Sequence, residues 1–132
     1  MQTDIGTEQQ DFATEQADSC NSRGGDASTV DGDASTVDGD LSTLQGDISS
    51  LQSGAMQTIQ SDLASVQGDV ATISNLGGTV TPDPSAAIAL GKRTLQDSQS
   101  AITWATSTGN SLDNQAHQIA SQADAFASQT GC

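Results

Sequence analysis

The feature that most constrains this chain is the spacing of its apolar residues. From Ala27 they step by three and four: Ala27, Val30, Ala34, Val37, Leu41, Leu44, Ile48 and Leu51, then Met56, Ile59, Leu63, Val66, Val70 and Ile73. Seven residues make close to two helical turns, so this alternation is the a/d seam of a helix that packs against another helix. It predicts a helix of about 50 residues, roughly 75 Å long. From Leu51 to Met56 the step is five. This one-residue skip contains Gly54 and Ala55, and the coil is expected to unwind locally there.

The same region reads GDASTVDGDASTVDGDLSTLQGD from Gly25 to Asp47, a vocabulary shared with calcium-binding loops. Period argues against that reading. Nonapeptide calcium repeats recur every nine residues, and an EF-hand needs glycine at its sixth position and glutamate at its twelfth. Counted from Asp31, those positions hold Thr36 and Ser42. In the heptad frame, Gly25, Gly32, Gly39, Gly46 and Gly68 fall at f, the outermost position. Asp26, Asp33, Asp40, Asp47, Asp62 and Asp69 fall at g, beside the seam. Each f glycine costs about 1 kcal/mol of helix propensity relative to alanine, so packing has to hold the helix. A flexible acidic linker would explain this composition but not the unbroken apolar spacing. One reason for glycine on every outward turn is a partner approaching closely along the ridge that includes Gly32 and Gly39.

A second seam follows the segment SNLGGTVTPDPS. Gly77-Gly78 is a helix stop, and Asp83-Pro84 is a start, with an acid as N-cap and proline at the first helical position. The a positions are then Ile88, Leu95, Ile102, Gly109, Ala116 and Ala123, and the d positions are Gly91, Ser98, Ala105, Leu112, Ile119 and Phe126. Two helices of similar length joined by a short loop suggest an antiparallel hairpin. Charge favours it over parallel self-association: g aspartates would then face e positions that include Asp31 and Asp38, whereas the second helix offers neutral Thr94, Ala101, Thr108, Gln115 and Gln122.

The expected fold class is therefore all-α: a long antiparallel two-helix coiled-coil hairpin with a short N-terminal helix at its base. Residues 1–24 form that helix and a turn, 25–76 the first long helix, 77–84 the loop and 85–132 the second long helix. A fold about Val80 brings Cys132 level with residue 28. If Asn21 to Gly25 turn the chain back, Cys20 can meet Cys132 and close the open end by a disulfide. The N-terminal helix, expected from Thr7 to Ser19, would place Phe12, Ala13 and Ala17 against the base, with Phe126 as partner for Phe12. A disulfide implies an extracytoplasmic setting. MQTDIGTEQQ lacks the basic and apolar regions of an export signal, so that setting requires such a segment to have been removed.

The chain resembles small exported actinobacterial proteins of uncharacterised function. In these, repeats like LSTLQGDISSLQ lead through a Gly/Pro loop into an Ala/Ser/Gln-rich helix ending near a cysteine. The resemblance covers Gly25 to Cys132 and implies export and helical hairpins. It brings no catalytic residues.

Composition narrows the function classes. Seventeen acids against three bases give a net charge of −14, so nucleic acid and anionic membranes are disfavoured as partners. No apolar run approaches the roughly 20 residues of a membrane-spanning helix. His117 is the single histidine, at an exposed b position with Asp113 one turn away, and reads as a solvated surface residue. No nucleophile elbow, zinc-protease, P-loop or dinucleotide motif is present, so no enzyme, cofactor or metal is expected. Trp104 lies at c, off the seam and level with Met56. It reads either as a cover over the skip or as an exposed anchor for a partner.

These features favour a non-catalytic extracellular or cell-envelope spacer or protein-interaction module, monomeric or in a helical assembly. The alternatives are a subunit of a trimeric fibre or larger assembly, and a sensor ectodomain or carrier holding an apolar ligand where Gly91, Ser98 and Gly109 leave gaps. The Cys20–Cys132 bridge makes the intact mass two hydrogens lighter than the thiol form in non-reducing mass spectrometry. Two alkylatable thiols in air-exposed native protein would refute it.

Overall fold

The computed structural model describes residues 1–18 and 22–129. Its elements are α1 (Gln2–Ala17), α2 (Arg23–Leu51), a π-helical turn (Gln52–Met56), α3 (Gln57–Asn75) and α4 (Ser85–Ala127). The described residues contain no strand, so the all-helical class stands. Cys20 and Cys132, and with them the expected disulfide, lie outside the described residues.

The π turn falls on the skip. One extra residue between Leu51 and Met56 would rotate every later seam residue off its face. Widening a single turn to i→i+5 bonding absorbs it and returns Met56 to the interior, 6% exposed. The helix stop is also where the glycines place it. Gly77 takes φ +78°, Gly78 N–H donates to Ile73 O at 2.9 Å and Gly77 N–H to Ser74 O at 3.0 Å. These are the two bonds of a Schellman motif, which need a left-handed residue that glycine supplies without strain. Asp83 receives the Ser85 backbone N–H at 3.0 Å and the Ser85 hydroxyl at 2.7 Å, capping the start of α4. Those bonds hold its carboxyl below the usual range.

The chain divides into two compact units: Met1–Gln45 with Ala105–Cys132, and Gly46–Trp104. In the first, Ile5 of α1, Ala27, Val30, Ala34 and Val37 of α2, and Ala116, Ala120 and Ala123 of α4 form the core. Met1, Phe12, Leu112, Ile119 and Ala127 pack against it. The a/d residues expected here are buried or half-buried. Ala120, an e residue, joins them because α1 supplies a third packing surface.

Two expectations for α1 are corrected. It begins at Gln2 rather than Thr7, and Ala13 and Ala17 are exposed. The inward row is Met1, Ile5, Glu8, Phe12 and Glu15, spaced four and three like the other seams, but with glutamate at two of its positions. Phe12 does meet Phe126 edge-on, with ring centroids 6.4 Å apart, and the Arg23 guanidinium lies 4.2 Å from the centre of the Phe126 ring.

In the second unit Met56 and Ile102 are buried, and Ile59, Leu63, Val70, Ile88, Leu95 and Ser98 half-buried. A hollow of about 370 Å³ near the loop is lined by residues including Val70, Ile73, Val80 and Ile88.

The glycines separate into two populations. A Cβ on Gly32 or Gly39 would meet nothing within 4 Å. A Cβ on Gly109 would lie 2.9 Å from Leu44 Cδ2 and 3.1 Å from Leu41 Cδ1, and one on Gly91 would lie 2.8 Å from Leu63 Cδ2. The outward glycines are uncovered, whereas the seam glycines are sockets for leucine. The Gly32→Ala and Gly39→Ala changes should together stabilise the protein by about 2 kcal/mol, by helix propensity alone. Gly109→Ala should gain less or destabilise, because Leu41 and Leu44 must shift. Denaturant midpoints compare the three. A double mutant less stable than wild type would refute the open-ridge assignment.

Candidate functional site

Three features stand out: a buried acidic row beneath α1, a cluster centred on His117, and the apolar surface of residues 46–104.

The acidic row follows from the α1 seam. Turning Ile5 and Phe12 inward also turns Glu8 and Glu15 inward, because all four share one face of the helix. Both glutamates are 0% exposed, and none of their four carboxylate oxygens has a hydrogen-bond partner. Burial pushes the Glu8 carboxyl up to about 7, the repulsion of Asp33 and Asp31 adding to it and His117 opposing it. Burial raises Glu15 as well, with Asp26 adding and Arg23 opposing. The Asp33 carboxyl is raised by burial and by its approach to Asp11. A countercharge stands at the start of the row, where the Met1 amino group lies 2.8 Å from Asp4 and 2.9 Å from Asp40. Those contacts raise the amine and lower Asp4.

The second cluster joins α2 to α4. His117 Nε2 lies 2.9 Å from Asp38 Oδ1 and 3.9 Å from Asp113 Oδ1. Sequence spacing places Asp113 beside His117, but only packing brings up Asp38, 79 positions away. Asp38 and Asp113 also face each other. Their interaction lowers Asp38, which His117 stabilises further, and raises Asp113. Among the described residues these form the one group of three His or acidic side chains whose ligand atoms all lie within 4.8 Å of one another, the closeness that sharing an ion requires. The imidazole is already satisfied by Asp38, and the side chains of His117 and Asp38 are 56% and 49% exposed. A solvated imidazole–carboxylate hydrogen bond accounts for this geometry.

The third feature concerns Trp104. At 68% exposure it does not seal the skip, although Met56 is buried. At c, the indole points away from the seam. Leu90, also at c and two heptads earlier on α4, is 66% exposed. Gly32 and Gly39 lie on the open ridge of α2, where Thr36 and Thr43 donate their hydroxyls to the carbonyls of Gly32 and Gly39 at 3.1 Å. Gly32 and Gly39 belong to the first unit and Trp104 to the second.

No protein-family model, curated protein or solved structure matches the chain.

The opposite shifts of the two facing aspartates give a test with a defined sign. Ionised Asp113 works against the fold and ionised Asp38 works for it, above the ordinary carboxylate range near pH 4. At pH 7, Asp113→Asn should raise the thermal midpoint and Asp38→Asn should lower it. The two should converge as the pH falls below about 4 and the carboxylates protonate. Equal midpoints at pH 7 would show that the cluster carries no net interaction.

Proposed function

We propose that this chain is a non-catalytic helical spacer and protein-interaction module that works outside the cytoplasm, built as a long antiparallel hairpin with α1 packed at its base. The pairing of residues supports the hairpin. Asp38 meets His117, and Leu41 and Leu44 meet Gly109, so rising numbers on α2 meet falling numbers on α4. In the other unit Leu63 meets Gly91. The extracytoplasmic setting rests on the expected Cys20–Cys132 pairing and on the resemblance to exported proteins.

One observation carries the interaction reading. Among the described residues, the large apolar side chains left exposed all lie between 46 and 104: Leu51, Val66, Ile73, Leu76, Leu90 and Trp104. The first unit buries or half-buries its own. An apolar surface confined to one unit of a strongly acidic chain is where a partner would gain most from burial. No helix among the described residues is long and apolar enough to cross a membrane. The carrier reading draws no support from the seam, since leucine side chains occupy the spaces at Gly91 and Gly109.

The alternative, a subunit of a larger helical assembly, would use the same surface for copies of this chain. Light scattering over a hundredfold concentration range, on wild type and on Trp104→Ala with Leu90→Ala, separates the two. The double variant should melt within a few degrees of wild type, because both side chains are exposed. A mass that rises with concentration in wild type only supports assembly. A constant monomer, with envelope proteins retained by wild type and released by the variant, supports a module for other partners. Equal retention and equal mass for both proteins would sink the interaction reading.

A further inference from the structure

Glutamate is an expensive choice for the inward row of a docked helix, and α1 has two. A carboxylate taken out of water without a hydrogen bond or countercharge is strongly disfavoured, and such groups take up a proton instead. Glu8 and Glu15 are sealed from solvent with every side-chain oxygen unpaired. Their neighbours aggravate the cost. Glu8 is faced by Asp33 and Asp31 of α2, and His117 of α4 relieves it in part. Glu15 is faced by Asp26 and Asp31 of α2 and Asp124 of α4, with Arg23 opposing them. Asp11, on α1 itself, approaches Asp33, and Asp40 of α2 faces the Met1 amine. The remaining inward residues of α1, Met1, Ile5 and Phe12, are ordinary apolar contacts to the core of that unit. Packing thus favours the docked helix at any pH, and the two carboxyls favour it only when neutral.

We propose that α1 is a proton-gated strap: it docks on α2 and α4 with Glu8 and Glu15 protonated, and lifts when both ionise, uncovering the apolar row beneath it. Lifting leaves the chain path intact and gives up the apolar contacts of Met1, Ile5 and Phe12 and the Met1–Asp40 contact, so the ionised pair must outweigh these. The device would make the base of the protein differ between mildly acidic and neutral surroundings. It holds whether or not residues 46–104 bind a partner.

The sign is fixed by linkage. A carboxyl raised in the docked state binds its proton there more tightly than in the free helix, so docking weakens as pH rises from the ordinary glutamate value toward the docked one. For Glu8 that window runs from 4.5 to about 7. Once the pH is well above that window, this carboxyl alone has weakened docking by about 300-fold. Glu15 acts in the same direction.

Amide hydrogen exchange of the whole protein at pH 5 and pH 8, corrected for intrinsic rates, tests the strap. Protection of residues 3–17 should fall at least tenfold at pH 8, while residues 112–126 of α4 keep theirs. Glu8→Gln with Glu15→Gln should leave α1 protected at both pH values, because an amide stays neutral. Unchanged protection of α1 in wild type, or less protection in the double variant than in wild type at pH 8, would overturn the proposal. Should the double variant fail to fold, carboxyl-carbon NMR titration of wild type gives the answer alone. Midpoints of Glu8 and Glu15 both raised above the ordinary glutamate range support the strap, and midpoints within that range refute it.

Discussion

Everything in this protein depends on burying a thin row of small apolar side chains along helices that could not stand alone. α2 carries glycine at every outward turn from Gly25 to Gly46, each unfavourable by about 1 kcal/mol relative to alanine. Val30 and Val37, both fully buried, supply the opposing term at roughly 1.5–3 kcal/mol each. Such a helix is stable only while its seam is covered, which makes helix formation and helix packing one event rather than two.

The small size of the seam residues sets how the helices meet. Gly109 and Gly91 have no side chain to hold a neighbour away, so Leu41, Leu44 and Leu63 fill the space instead. Large opposite small is the way a narrow seam reaches interior packing density without aromatic bulk. Aromatic contact among the described residues lies in the first unit, where Phe12 meets Phe126 edge-on and Arg23 lies over the Phe126 ring. The exposed side chains of Leu76, Leu90 and Trp104, all more than 60% accessible, belong to the other unit. The buried acidic row thus belongs to one unit and the exposed large apolar side chains to the other.

Electrostatics divides along the same line. With a net charge of −14, most aspartates remain solvated and cost little. The exceptions arise where a third helix covers the flank of the seam. Asp33 and Asp26, at g positions that the sequence places beside the seam, become neighbours of Glu8 and Glu15 once α1 is docked. Carboxyl groups that would be harmless on a two-helix coil become a row of mutually repelling groups, partly answered by Arg23, His117 and the Met1 amine.

The all-helical class, the seam positions of the first unit, the skip at Gly54-Ala55, the Gly77 stop and the Phe12–Phe126 contact were legible in the sequence, whereas the expected seam residues Leu51, Val66 and Ile73 are exposed. Apart from the Phe12–Phe126 contact, which joins α1 to α4, each legible feature depends on residues close along one helix, or on a conformation that only certain residues adopt. Periodicity records which face is apolar, and a positive φ needs glycine. The inward turn of Glu8 and Glu15 was not legible, because a search for apolar periodicity reads glutamate as the outer face. Only the docking of α1 reverses that assignment. Nor could spacing reveal Asp38 beside His117, 79 residues apart, or the exposure of Trp104, since those depend on register between helices. The sequence by itself determined where helices form and which of their residues seek burial, because those are local properties of propensity and period. The tertiary structure decided which charges are forced together and which apolar groups stay in water, because these depend on what happens to lie opposite.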